Sequence, residues 1–290
     1  SSIVGIAGLE PTIQFTKASK KVLLANKESI ICGWHILKNI AKKNKTKMIP
    51  VDSEHFSINQ LTKDHKDDDV KKIYITASGG PFLKKKLKSF KKINAIEASK
   101  HPKWKMGKKI SVDSATMMNK GLEIIEASIL FDLDPKQIKV LIHPESIVHA
   151  LVSFTDGSVI SHMSKHDMRV AISYAISWPY RQNINIQELK NIEFNSLSFR
   201  KVKKNQFKCL DLCIKALKLG HNAPTVLNAA NEIAVSNFLE NKIKFLDIPV
   251  IIDYALKNMK LIKNNSLKSI LACDQQTRKQ VSDYIRNKWK

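Results

Sequence analysis

Apolar positions along the chain switch between two spacings, and the switches mark its elements. Residues 21–25 (KVLLA) and 47–51 (KMIPV) are short apolar runs, and between them residues 29–43 repeat apolar side chains every three to four positions. That rhythm predicts strand, helix, strand, an α/β unit with parallel strands. Residues 72–77 (KIYITA) predict another strand running straight into Ser-Gly-Gly-Pro. The charged stretch before it, TKDHKDDDVKK, reads as a surface loop. Residues 111–131 (SVDSATMMNKGLEIIEASILF) begin like a strand end and finish as an amphipathic helix, with Asp113 or Ser114 expected as its cap.

From residue 138 the pattern changes. IKVLIHP predicts a strand, and VHALVSFTDGSVISHMS alternates on both sides of Asp156-Gly157, a strong hairpin signal. DMRVAISYAISW is helical and stops at Pro179. Residues 180 to about 205 show little periodicity and read as a linker. Helices are expected at about 207–219, 224–240, 247–261 and 274–288, with Gly220 and Pro224 as punctuation. The architecture expected is a parallel α/β piece, a mixed α+β middle and a small helical cap.

At 290 residues the chain has room for two or three domains. No apolar run approaches the length of a membrane span. Cys32, Cys209, Cys213 and Cys273 are scattered without a second Cys or His pair, which points to free thiols and away from a zinc site. The net charge of +23 invites a nucleic-acid reading. Against it, the excess is nearly all Lys, spread through KKNKTK, LKKKLKSFKK and RKVKKNQFK, with no recognition helix or aromatic platform. Such a field draws in a phosphorylated small molecule equally well.

Three stretches carry candidate chemistry. In VDSEH, Asp52 and Glu54 read either as cap and dipole partners of a helix N-terminus or as two oxygen ligands of a hard cation. In TASGGPF, Ser78 and two glycines read either as an ordinary loop or as an anion cradle. In residues 111–131, Asn119, Lys120 and Glu123 share one side of a helix. Gly121, costly there by about 1 kcal/mol against Ala, implies a close approach. HPKWKMGKK (101–109) places Trp104 and Met106 on a cationic loop, as a core anchor or as a lid.

Taken in order, LLANKES, PVDSEH, SGGPF, HPKWKMGKKISVDSATMMNKGLE, LIHPESIVHA and LNAANEIAV resemble the 1-deoxy-D-xylulose 5-phosphate reductoisomerases over essentially the whole chain. The resemblance implies an NADPH- and divalent-metal-dependent rearrangement and reduction, giving 2-C-methyl-D-erythritol 4-phosphate in the non-mevalonate isoprenoid pathway. It implies Asp52, Glu54 and Glu123 as ligands of Mg²⁺ or Mn²⁺, with Co²⁺ as another candidate. Ser78, His101, Ser114, Asn119 and Lys120 would hold the phosphate end, and Lys27 and Ser53 the hydroxyl-ketone part. Lys27, Asp52, Glu54 and Glu123 form the implied catalytic set. Asn26, Glu28, Gly107 and Met168 match cofactor contacts, Trp104 and Met106 the lid, and His149 the cleft lining.

The implied fold is α/β and α+β multidomain. It comprises the end of a Rossmann-like NADPH domain (1–51), a catalytic and metal-binding domain (52–179) with a lid at about 98–108, a linker (180–206) and a helical C-terminal domain (207–290). The chain starts in apolar sequence without an initiator Met or a secretory leader, so we expect a piece of a longer protein. The Gly-rich dinucleotide loop would precede it, and this piece alone is expected to bind NADPH poorly and turn over little. In KHDMRVAI, the family pattern has Pro at the positions of His166 and another Pro after Arg169, which loosens the expectation for Met168. A homodimer through the 148–163 hairpin and a bacterial cytoplasmic or plastid-type location are implied; neither a nucleic-acid partner nor a membrane is. The competing readings are another nicotinamide-dependent oxidoreductase, which needs no metal triad, and a basic nucleic-acid-binding protein.

Overall fold

The computed structural model describes residues 1–104, 106–203, 206–263 and 265–289. Helix α1 (Leu9–Ala18) leads into β1 (Lys21–Leu24), α2 (Lys27–Asn44) and β2 (Lys47–Pro50). β1 and β2 pair in parallel, Lys21 opposite Lys47, which is the α/β unit that the spacing predicts. Next come α3 (Ser53–Thr62), β3 (Val70–Ala77), α4 (Ala95–Ala98), α5 (Lys108–Ala115) and α6 (Met118–Leu130). They are followed by β4 (Ile138–Ile142), β5 (Val148–Phe154), β6 (Val159–Met163), α7 (Met168–Ser177) and β7 (Arg200–Lys201). The chain closes with α8 (Lys208–Leu219), α9 (Ala223–Leu239), α10 (Asp247–Asn258) and α11 (Leu267–Lys288).

A second, mixed sheet has the order β6-β5-β3-β4-β7. β3 lies parallel to β4 and antiparallel to β5, so its carboxyl end, where Ser78 follows, opens beside the helices rather than into a hairpin. The β5–β6 hairpin turns at Asp156-Gly157, and Gly157 has φ 90. The buried apolar cluster is continuous from Leu9 to Ile285 and crosses both expected boundaries, at 51 and at 206.

Four expectations need correction. Residues 111–131 contain no strand end: α5 and α6 are two helices broken at Thr116-Met117, and Met117 adopts the left-handed conformation with φ 61. Neither Asp113 nor Ser114 is a cap. Asp113 is buried inside α5, neutralised by Lys109 one turn earlier at 2.8 Å and bonded by Asn231 Nδ2 at 2.9 Å, so the helix begins before it. The 180–206 linker is not wholly irregular, because β7 adds to the edge of β4, Ile142 opposite Arg200. Helix α11 begins seven residues earlier than expected, where Ser266 and Ser269 cap each other's backbone N–H groups.

Gly121 marks a close approach, as its cost implies. A Cβ there would lie 2.4 Å from Cys213 Sγ, so what comes close is helix α8, not a ligand. Cys209 and Cys213 are both buried on α8, and Cys213 Sγ lies 3.2 Å from Met118 Sδ, so these thiols serve as small apolar residues.

Candidate active site

The site is assembled from helix starts. Asp52 is the N-cap of α3, its Oδ1 accepting the N–H of Glu54 at 3.3 Å. VDSEH is therefore a helix N-terminus, and the same geometry also turns Asp52, Ser53 and Glu54 toward one cavity. Asn26 caps α2, accepting from Ser29 N at 2.7 Å, which places Lys27 on the first turn. The break at Met117 lets α6 start afresh, with Asn119, Lys120 and Glu123 on its cavity side and Ser114 arriving from α5. Gly80, at φ 67, lets the Ser78 loop lie against this break: a Cβ there would be 2.8 Å from the Ser114 carbonyl oxygen.

The cavity has a volume of about 300 Å³. It gathers fourteen of the residues singled out from the sequence: Lys27, Asp52, Ser53, Glu54, Ser78, His101, Trp104, Met106, Ser114, Asn119, Lys120, Glu123, His149 and Met168. Asn26, Glu28 and Gly107 are not among its walls. The amide of Asn26 is taken up by the backbone of Ile3 and Gly5 and by Glu28, while Glu28 lies 3.4 Å from Lys109. Gly107 instead lines an open neighbouring recess of about 550 Å³ with Ser99, Lys100, His101, Trp104, Met106 and Ser111. Lys105, within the expected lid, lies outside the described residues.

At the cavity floor one carboxylate oxygen each from Asp52, Glu54 and Glu123 lies within 4.8 Å of the others. Two ammonium groups sit among them. Lys27 Nζ donates to Asp52 Oδ2 and Asn119 Oδ1, both at 2.9 Å, and lies 3.4 Å from Glu123 Oε1. Lys120 Nζ is 2.5 Å from Glu54 Oε1 and also pairs with Glu123. Burial by itself would lower the Lys27 ammonium, but Asp52, Glu123 and Glu126 more than offset it and hold it well above the ordinary lysine range. Burial, then the charge of Glu54, pushes the Glu123 carboxyl up. The three carboxylates offer a set of hard oxygen donors, paired with the Lys27 and Lys120 ammoniums. That is the chemistry of a Mg²⁺ or Mn²⁺ site, and the residues fit such an ion.

Behind this cluster stand two groups to which the sequence reading gave no role. His55 Nδ1 lies 3.5 Å from Asp52 Oδ1 and 3.4 Å from Glu126 Oε2, and its Nε2 meets the Glu123 carbonyl at 3.0 Å. Burial would lower this imidazole, but Glu126 and Asp52 raise it to about 9, while burial lifts Glu126 to about 7. The acidic residue at 126 follows Glu123 by three positions, on the same helix face, and that spacing was the available signal.

The other end of the cavity carries a hydroxyl and an imidazole in contact. His101 Nε2 lies 3.1 Å from Ser78 Oγ, and Ser78 Oγ accepts the N–H of Gly80 at 3.2 Å. The N–H of Gly80 is thus spent on Ser78, and the hydroxyl and imidazole, more than a glycine cradle, present the donors. Burial, with His166 and Lys120 nearby, lowers His101 to about 4.

Family profiles of 1-deoxy-D-xylulose 5-phosphate reductoisomerase match residues 1–33, and those of its C-terminal domains match 48–131 and 163–280. The reductoisomerase of Clostridium tetani is 45% identical over 289 residues, covering 100% of this chain and 74% of that protein. The chain belongs to the 1-deoxy-D-xylulose 5-phosphate reductoisomerase family. The reductoisomerase of Vesicomyosocius okutanii is 48% identical over 286 residues, 99% of this chain and 74% of that one. A structure of the Zymomonas mobilis reductoisomerase with NADPH superposes with a TM-score of 0.91 at 37% identity, covering 98% and 73%. A crystal structure of DOX-P reductoisomerase with NADPH, fosmidomycin and magnesium superposes with a TM-score of 0.92 at 40% identity, covering 98% and 74%. The chain spans about three quarters of the family members it matches.

Proposed function

We propose that this chain performs the family's reaction, the NADPH-dependent rearrangement and reduction of 1-deoxy-D-xylulose 5-phosphate, with the roles assigned to its residues as follows. Asp52, Glu54 and Glu123 hold the divalent cation. Lys27, kept protonated by three carboxylates, donates to a hydroxyl or carbonyl oxygen of the substrate and does not act as a base. Ser53, on the same turn as two of the ligands, orients the hydroxyl-ketone end. Ser78, His101, Ser114, Asn119 and Lys120 take the phosphate. When bound, the cation supplies Lewis-acid polarisation of the substrate oxygens and NADPH supplies the hydride.

The chain's own contribution is placement. Gripping the phosphate at one end and the polarised oxygens at the other fixes the reacting carbons between them. Trp104 and Met106 line the cavity, and in this reading they close over the bound substrate and keep water from it. The recess beside Gly107, where no atom lies within 4 Å of a would-be Cβ, has room for the nicotinamide end of the cofactor. Asn26, Glu28 and Met168 are the further cofactor contacts in this reading, and His149 lines the cleft. The division into a cofactor part, a catalytic part, a linker and a helical cap belongs to the same proposal.

The observation that carries this reading is the convergence of Asp52 and Glu54 with Glu123, distant in sequence, within 4.8 Å in the cavity that also holds Ser78 and His101. Its test is calorimetric titration of fosmidomycin into the protein with and without Mn²⁺. Binding should require the metal, and Glu123→Gln should weaken Mn²⁺ binding by about 100-fold, at least as much as loss of an outer-shell partner. Metal-independent binding would overturn it. No helix among the described residues is long and apolar enough to cross a membrane; we place the protein in the cytoplasm. We also assign β6, an edge strand with Val159, Ile160 and Met163 exposed, to a homodimer contact, checked by sedimentation velocity of Ile160→Lys.

A further inference from the structure

The turn at residues 101–104 is held from two sides by imidazoles. From within, His101 Nδ1 accepts the backbone N–H of Lys103 at 3.1 Å and of Trp104 at 2.9 Å. An acceptor nitrogen carries no proton, so the proton of neutral His101 sits on Nε2, the atom that faces Ser78 Oγ at 3.1 Å. The backbone of the turn therefore fixes which nitrogen of His101 donates into the anion pocket. From outside, the Trp104 ring meets His166 edge to face, centroids 5.6 Å apart and planes at 88°. His166 is itself fixed, its Nε2 donating to the Glu145 carbonyl at 2.9 Å. Glu145 in turn accepts from Ser198 Oγ at 2.8 Å, so the seat is braced by the segment that leads into β7.

We propose that His166 is a positioning residue for the phosphate pocket: its ring seats Trp104, Trp104 holds the 101–104 turn, and the turn orients His101 Nε2–H toward the bound anion. In this arrangement His166 acts through two intervening residues, Trp104 and His101. An edge-to-face ring pair contributes an energy equivalent to roughly a two- to tenfold change in affinity, and the other ring against Trp104, His149, lies farther off at 6.5 Å between centroids. The groups facing His166 are Lys103 on the turn, Lys165 beside it, Glu193, and the Glu145 backbone; those facing His101 are Ser78, Lys120 and His166. Burial lowers both imidazoles, in keeping with neutral rings.

The proposal rests on the reductoisomerase reading for the phosphate that His101 meets and for the choice of probe. His166→Ala and His166→Phe are compared by fosmidomycin titration with Mg²⁺ and by NMR titration of the His101 ring. His166→Ala should weaken fosmidomycin roughly two- to tenfold and move the His101 pKa upward, since the turn no longer keeps Nδ1 as an acceptor. His166→Phe keeps a ring against Trp104, so it should retain most of the fosmidomycin affinity; both variants lose the His166 charge that lowers His101, so the His101 pKa should rise further in His166→Ala than in His166→Phe. Equal affinity for His166→Ala, or equal losses in the two variants, overturns the proposal. Trp104→Leu, with His166 intact, should also give an upward His101 shift; an unmoved His101 there also overturns it. If the unsubstituted protein fails to bind fosmidomycin, the functional reading fails while the His101 titrations still decide the role of His166.

Discussion

Lys120 Nζ lies 2.5 Å from Glu54 Oε1 although the two residues stand 66 positions apart, and the same ammonium pairs with Glu123. One buried cation thus ties the start of α3 to the first turn of α6. Lys120→Met leaves two nearly buried carboxylates facing each other, and breaking such a pair costs about 3–5 kcal/mol. Thermal unfolding should show that loss at neutral pH, and added Mn²⁺ should recover part of it by supplying the missing charge. A variant as stable as the parent without metal would show that Lys120 does not hold the carboxylates together.

Gly121 lies where α6 and α8 approach each other. Gly121→Ala puts a Cβ 2.4 Å from Cys213 Sγ and 2.6 Å from Cys213 Cβ. Overpacking of this kind costs about 1–3 kcal/mol. Cys213→Ala should not relieve it, since the second contact remains, whereas Cys213→Gly should. Urea midpoints of the single and double variants check this, and full rescue by Cys213→Ala would contradict the geometry.

His162 gives the fold an acid-sensitive point. Its Nδ1 lies 2.9 Å from Ser57 Oγ and its ring packs edge-on against Phe56. Burial, then His149 and Arg181, lowers it to about 4. Between its unfolded value of about 6.5 and 4 the unfolded chain holds a proton that the native state does not, so stability must fall as pH falls through that window. Above it the group contributes no slope. Denaturation midpoints taken between pH 7 and 4 should decline, and His162→Gln should flatten the decline by about one proton.

The residue types by themselves determined much of this protein. Apolar spacing located β1, α2, β2, the 148–163 hairpin and helices α8, α9 and α10 to within a few residues, because a buried face imposes its period locally, while it missed the first two turns of α11. The order of short polar motifs pointed to the family and to fourteen of the residues that line the cavity. Spacing failed where a distant partner replaced a local signal. Asp113 looks like a cap and is instead neutralised by Lys109 and Asn231. Gly121 signals a close approach, and only the fold shows that the neighbour is α8.

Only the tertiary structure decided how the charges are balanced. Lys27, Asp52 and Glu123 meet across α2, α3 and α6, and His55 and Glu126 support them from behind. It also decided that Trp104 rests on His166 and that His101 presents Nε2–H. Electrostatic and hydrogen-bond energies depend on distance and burial in space. A chain read in order gives spacing along the backbone, and that fixes neither.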